Sequence, residues 1–200
     1  MQHGSDGFEF DVRLTADKHA VICHNERTGG CEIALTAASN LPQLPQLELV
    51  LDRYAQRAFL DIELKVTGLE TATRNALNLN PPTKGYVVSS FLPEVLLALR
   101  ELDADIPLGL ICETKSQLAI WKSLPLHYLI SHHTLVDSKL CEMAHGAGKK
   151  VFVWTVNKRN AMLHFRDIAV DGIISDDTKL LVEALRPEGR GGREELKSKA

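Results

Sequence analysis

The sequence holds no apolar run near the ~20 residues that a bilayer-spanning helix needs. It also lacks, at its start, the basic, apolar and small-residue regions of a secretory leader. Its four cysteines, Cys23, Cys31, Cys112 and Cys141, show no C-x-x-C spacing. That sets aside a zinc site and a disulfide framework, and it favours reduced thiols in a cytoplasmic protein. There is no excess of positive charge. The 23 basic and 26 acidic groups leave a net −3, which gives no footprint for nucleic acid and no polybasic membrane patch. No glycine-rich phosphate loop follows any expected strand, which counts against a doubly wound nucleotide-binding protein. What remains is a chain of 200 residues, 44% hydrophobic and 24% charged, long enough for one substantial core and ordinary for a soluble globular domain.

Within that chain, Gly7-Phe8-Glu9-Phe10-Asp11-Val12-Arg13-Leu14 is the most informative segment. Phe8, Phe10 and Val12 alternate with Glu9, Asp11 and Arg13, as in a strand. Residues two apart project from the same face, so the two carboxylates stand side by side and repel. A divalent cation is the economical remedy, because hard cations choose carboxylate oxygens. Taken alone, the segment reads more simply as a half-exposed strand with its charges in water.

The rest of the chain changes that balance. Ala20–His24 reads as a second short strand after a hairpin turn over Thr15–His19, and Asn25–Gln43 is loop-rich. Strands are expected at 58–65, 85–91, 106–112, 127–131, 150–156 and 172–175. Helices are expected at 47–56, 68–79, 93–102, 115–123, 137–147, 159–168 and 178–185. Most later strands are continuously apolar, as parallel strands covered on both faces should be. The alternation predicts an α/β fold with a parallel sheet. Seven parallel strands plus a hairpin arm, in place of eight strands, suggest a TIM barrel lacking its first βα unit. Residues 1–185 would form that incomplete barrel domain, with 186–200 a disordered tail.

Asp61, Glu63 and Lys65 alternate near the end of their strand, where parallel α/β folds collect ligands. Three carboxylates from neighbouring strand ends, Glu9, Asp11 and Glu63, would make a divalent-metal site of magnesium or calcium character. Lys65 beside them would hold a phosphate oxygen as a compact charge. An ion-paired polar face is the plainer alternative, but Leu60, Ile62 and Leu64 between the charges argue for a buried strand, where unpaired charge is costly. His24, just past its strand, is placed to act as general acid or base.

With those residues in view, the chain resembles the glycerophosphodiester phosphodiesterase family over about residues 4 to 185. Gly7–Thr15 resembles its metal-binding strand, Val21–Asn25 its histidine arm, and Leu44–Glu48 the entry to the next helix. Asp61–Lys65 is similar to its second metal strand. Ser89–Phe91, Val153–Asn157 and Asp171–Asp176 are similar to later strand ends. The resemblance implies a TIM barrel that hydrolyses glycerophosphodiesters to glycerol 3-phosphate and an alcohol. It implies Glu9, Asp11 and Glu63 as metal ligands, His24 as one of two catalytic histidines, Lys65 at the phosphate and Trp154 near the glycerol moiety. A core tryptophan is the plainer reading of Trp154.

The sequence departs from the family in three places. It has neither the His-Arg-Gly motif of the first strand nor the Pro-Glu-Asn-Thr segment after it, and His3 stands in the wrong place to replace the missing histidine. Asn25 follows His24 where the family carries an acid, so a hydrogen bond survives there but not a charge. Thr178 stands where a proline is common. The expectation is a small-molecule phosphodiesterase that keeps the metal and phosphate half of the site and lacks one proton-transfer group. A missing strand would also leave two sheet edges open to pairing with another copy. The alternatives are a catalytically silent relative that binds a phosphodiester or a protein partner, and a barrel phospholipase of the sphingomyelin-cleaving type.

Overall fold

A computed structural model describes residues 3–186; the expected disordered tail, past Arg186, lies outside the described residues. The elements follow in the order β1 (Gly7–Leu14), β2 (Ala20–Ile22), β3 (Arg27–Thr28), β4 (Cys31–Glu32), α1 (Leu47–Tyr54), β5 (Phe59–Leu64) and α2 (Glu70–Leu79). Then come β6 (Tyr86–Ser90), α3 (Pro93–Leu102), β7 (Leu108–Cys112), α4 (Lys115–Ala119), β8 (Tyr128–His132) and α5 (Ser138–Gly146). The last are β9 (Lys150–Trp154), α6 (Arg159–Asp167), β10 (Gly172–Ile173) and α7 (Thr178–Leu185).

Seven of these strands run parallel in one sheet of order β10-β9-β8-β7-β6-β5-β1-β2, with β2 antiparallel at its end. This is the α/β architecture expected, seven parallel strands and a hairpin arm. The sheet is strongly curled. Phe59 on β5 and Phe152 on β9 have ring centroids 5.7 Å apart. In a flat sheet, four inter-strand spacings would separate those strands by about 19 Å. Yet the curl does not close: among the described residues β10 pairs only with β9, and β2 covers only Val12–Leu14 of β1's outer edge.

Two apolar layers hold this arc. Outward side chains Leu60, Ile62, Leu64, Val88, Leu108, Leu110, Leu129, Val151 and Val153 pack against the helices in the main core. Inside the curl, Val87, Ile111, Tyr128 and Ile130 form a smaller cluster with Phe59 and Phe152. Both faces of the central strands are thus buried, which is why they read as continuous apolar runs. The inner rings need room beside them. A Cβ on Gly172 would come within 2.7 Å of the Phe152 ring, and one on Gly7 within 2.2 Å of the Phe59 carbonyl oxygen.

The helices start where capping chemistry allows. Pro93 stands in the first turn of α3. Asp137 and Asp177 accept from Leu140 N and Leu180 N at the starts of α5 and α7. Thr114 and Gln117 form a reciprocal capping box at α4. The helix expected over 115–123 instead stops at Ala119, and a 3₁₀ turn over Trp121–Ser123 tucks the Trp121 side chain into the core. The loop-rich stretch 25–43 holds more order than its composition suggests. The β3–β4 pair and two 3₁₀ turns there are pinned by Ile33 and Leu41 against Val21.

Gly7→Ala should destabilise the protein by about 1–3 kcal/mol, since the clashing atom is backbone that no rotamer change can move. Gly146→Ala, which meets nothing within 4 Å, should be neutral or mildly stabilising. Denaturant unfolding of the two variants checks the contrast.

Candidate active site

The parallel register of β1 on β5 builds the site. It pairs Glu9 with Asp61 and Asp11 with Glu63. Paired residues in neighbouring strands share a face, so four carboxylates form a two-by-two patch on the inside of the curl. Asp61 and Glu63 are 3% and 7% exposed. One oxygen from each of Glu9, Asp11 and Glu63 lies within 4.8 Å of the others. Asp61 stands deeper, its Oδ1 accepting from Ser89 Oγ at 2.5 Å.

Lys65 leaves the end of β5 and turns back onto this patch. Its Nζ is 2.6 Å from Glu63 Oε1 and 3.1 Å from Asp11 Oδ1. It also lies 5.7 Å from the Phe91 ring centroid. Phe91 meets Trp154 edge-on at 5.9 Å, and Trp154 meets His132 edge-on at 5.2 Å. Trp154 Nε1 donates to the Ile130 carbonyl at 3.3 Å, which fixes the indole at the end of β9. Lys65 and Trp154 therefore share one mouth, joined through Phe91. His24 is exposed on the arm beyond β2, its Nδ1 3.0 Å from Asn25 Oδ1. It is near enough for its charge to favour the ionised form of Glu63.

One lysine does not neutralise four acids. Burial, then repulsion from Asp11, Asp61 and Glu63, pushes the Glu9 carboxyl up to about 8. Burial raises Asp61 to about 7 against the opposing bond from Ser89. Burial also raises Glu63, and there it outweighs the attraction of Lys65. For Lys65, burial alone would lower the ammonium, but its contacts with Glu63 and Asp11 prevail and hold it above the usual lysine value. Glu9 Oε1 and Asp61 Oδ2 are buried without any hydrogen-bond partner. A patch with surplus negative charge, an orphaned carboxylate oxygen and three converging carboxylates fits a hard divalent cation by donor chemistry and spacing.

Glu9, Asp11, Glu63, Lys65, Trp154 and His24 all come to this side of the sheet. Ser89 and Phe91 join them through the structure; the alternation of 85–91 is the signal that places them on the inner face. His132 reaches the mouth through Trp154, with its Nδ1 2.8 Å from Thr134 Oγ1. His145 instead pairs with Asp171 at 2.9 Å, beside the start of β9.

A curled, mostly parallel sheet with acids, a lysine and a histidine on its inner side places the chain in the TIM-barrel class of folds. The glycerophosphoryl diester phosphodiesterase family model matches residues 74–180, more than half of the sequence, and the chain belongs to that family. It is 27% identical over 218 residues to a glycerophosphodiester phosphodiesterase of Caldanaerobacter subterraneus subsp. tengcongensis, covering 94% of this chain and 89% of that one. In fold it is similar to an Oleispira antarctica phosphodiesterase solved with the product sn-glycerol-3-phosphate, at a TM-score of 0.82, 24% identity, and 93% and 87% of the two chains. A glycerophosphodiester phosphodiesterase from Parabacteroides distasonis superposes at a TM-score of 0.80 and 23% identity, over 92% and 83%. By family, the chain is a glycerophosphodiester phosphodiesterase, a phosphoric diester hydrolase. No helix among the described residues is long and apolar enough to cross a membrane.

The raised carboxyls set a pH dependence. A carboxyl raised in the fold binds its proton more tightly there than in the unfolded chain, so it favours folding below its ordinary value and loses that contribution as pH rises through the folded value. Metal-free protein should therefore lose stability as pH climbs from about 4.5 to about 8, the span over which Glu9 is displaced. Glu9→Gln should flatten that slope. Thermal unfolding in chelator across this range checks both.

Proposed function

We propose that the chain hydrolyses glycerophosphodiesters to glycerol 3-phosphate and an alcohol in a metal-dependent reaction. Glu9, Asp11 and Glu63 hold Mg²⁺ or Ca²⁺, Lys65 and Trp154 meet the substrate, and His24 moves a proton. One observation carries this reading: three carboxylates from two adjacent strands converge within 4.8 Å, and a lysine lies against two of them.

The residues divide the work by chemistry. A cation bound by the three acids supplies charge to offset that building on the phosphate oxygens. Lys65, against Asp11 and Glu63, would add a second positive charge beside that group. Trp154 and Phe91 give an apolar wall against which the carbon portion of the substrate can lie. His24, with Nδ1 hydrogen-bonded to Asn25, keeps Nε2 free to take or give a proton. Asn25 orients that ring through a hydrogen bond and, unlike an acid at the same position, brings no charge to it.

The sequence shows no His-Arg-Gly motif, and the charge of His24 reaches Glu63. The 200-residue chain alone therefore turns over slowly, by the ~10²–10⁴ that loss of a general acid or base costs. A silent relative that binds phosphodiesters without cleaving them is the alternative favoured by that same absence. Among the described residues, the outer edge of β10 and the Gly7–Phe10 part of β1's outer edge are unpaired, which supports self-association through paired strands, and the free cysteines suit a cytoplasmic setting.

Release of glycerol 3-phosphate from glycerophosphocholine, with Mg²⁺ or Ca²⁺ and with chelator, is the test. The expected result is slow, metal-dependent release that rises on restoring a first βα unit bearing His-Arg-Gly. His24→Gln and Glu63→Gln should each remove most of the activity. Full activity in chelator would end the metal reading, and tight substrate binding with no turnover in either form would favour the silent relative. The same preparations should show self-association by light scattering, and a strictly monomeric mass would count against strand-edge pairing.

A further inference from the structure

Arg13 has no part in the chemistry above. It stands two residues beyond Asp11 on β1, on the same inner face as Glu9 and Asp11. Its side chain is 11% exposed. Nε and Nη2 both donate to the backbone carbonyl of His24, at 3.0 and 2.9 Å. A guanidinium fork is matched to carboxylate or phosphate, yet here it is closed on a neutral carbonyl. The acid beside it, Glu26, is 81% exposed and no closer than 4.0 Å to Nη1.

The need for such a clamp is visible in the arm. The β1–β2 ladder runs from Val12–Ile22 to Leu14–Ala20. One further backbone bond, Cys23 N to Asp11 O at 3.0 Å, carries it to the edge of the site. From His24 to Arg27 the residues are exposed. The His24 ring bonds to Asn25, which rides on the same exposed segment and so cannot fix the ring against β1. Arg13 is the side chain that ties this segment back to the strand holding Glu9 and Asp11.

We infer that Arg13 is a positioning residue: by gripping the His24 carbonyl it holds the imidazole in register with the carboxylates, without itself touching substrate. The inference rests on the reading of His24 as the proton-transfer group. Its size follows from geometry, since an ångström of misplacement at a reacting group costs about 10²-fold in rate. Lysine cannot stand in, because an ammonium offers a point charge in place of two converging donors.

The test uses the 200-residue chain with Mg²⁺ and glycerophosphocholine, comparing R13A, R13K, H24Q and the double variant H24Q/R13A. R13A should lower kcat by about 10²-fold and leave KM and the Mg²⁺ midpoint unchanged. R13K should stay low, while added guanidinium ion should restore part of the R13A rate and none of the H24Q rate. In the H24Q background, R13A should cost nothing more, because the two residues act as a unit. Additive losses, or a raised KM with kcat intact, would overturn the role. A slow H24Q beside a fully active R13A defeats the clamp alone; a fully active H24Q defeats the reading of His24, and the clamp with it. Imidazole NMR of His24 gives a readout free of turnover and of the variants' melting behaviour. Its resonances should shift or broaden in R13A and return with guanidinium, and an unchanged spectrum would overturn the inference.

Discussion

Mutual repulsion among buried carboxylates is the constraint on which the rest of this structure depends. Parallel pairing of β1 and β5 sets Glu9 beside Asp61 and Asp11 beside Glu63, on a face turned away from bulk water. Four like charges so placed cannot all stay ionised without compensation. The fold answers partly with Lys65, which binds Asp11 and Glu63, yet Glu9, Asp61 and Glu63 all remain raised carboxyls. Charge of the opposite sign is what this patch accepts, and a cation together with the lysine is what a phosphodiester, itself an anion, would meet there.

The fold keeps the patch rigid and its surroundings differentiated. On the inner face of the sheet, the Phe59, Tyr128 and Phe152 rings pack against one another. Phe91, Trp154 and His132 form a wall of rings across the mouth. Acids on one side and aromatics on the other give a site polarised across its width, with Lys65 bridging the two halves. The histidine arm lies at one end of the sheet, where, among the described residues, β1 has only a three-residue partner in β2. The geometry of His24, the proposed proton-transfer group, is thus more dependent on single side-chain contacts than that of the acids, whose positions follow from six consecutive backbone pairings.

Much of this was legible before any coordinates. Strands such as 106–112 and 150–156 announced themselves because both faces are buried, and the alternation of Glu9 with Phe10 and of Asp61 with Ile62 gave the facing of the acids directly. The match in register between β1 and β5 was not legible, since two strands 45 residues apart carry no mark of their offset; that the acids meet was expected from their place at neighbouring strand ends and from the family likeness. The 25–43 stretch read as loop because its order comes from Ile33 and Leu41 packing on Val21, contacts with no local periodicity. The grip of Arg13 on the His24 carbonyl was likewise hidden. Such a bond involves a backbone atom, which every residue offers, so residue identity says nothing about it. The depth of Asp61 and its bond from Ser89 needed the neighbouring strand as well.

Diffraction from crystals grown in calcium addresses the central claim most directly. The account predicts one ion bonded by an oxygen from each of Glu9, Asp11 and Glu63, at about 2.3–2.6 Å, with Lys65 Nζ drawn away from at least one of its present partners. Density showing those three side chains unliganded at saturating calcium, with Lys65 still seated between Asp11 and Glu63, would contradict it.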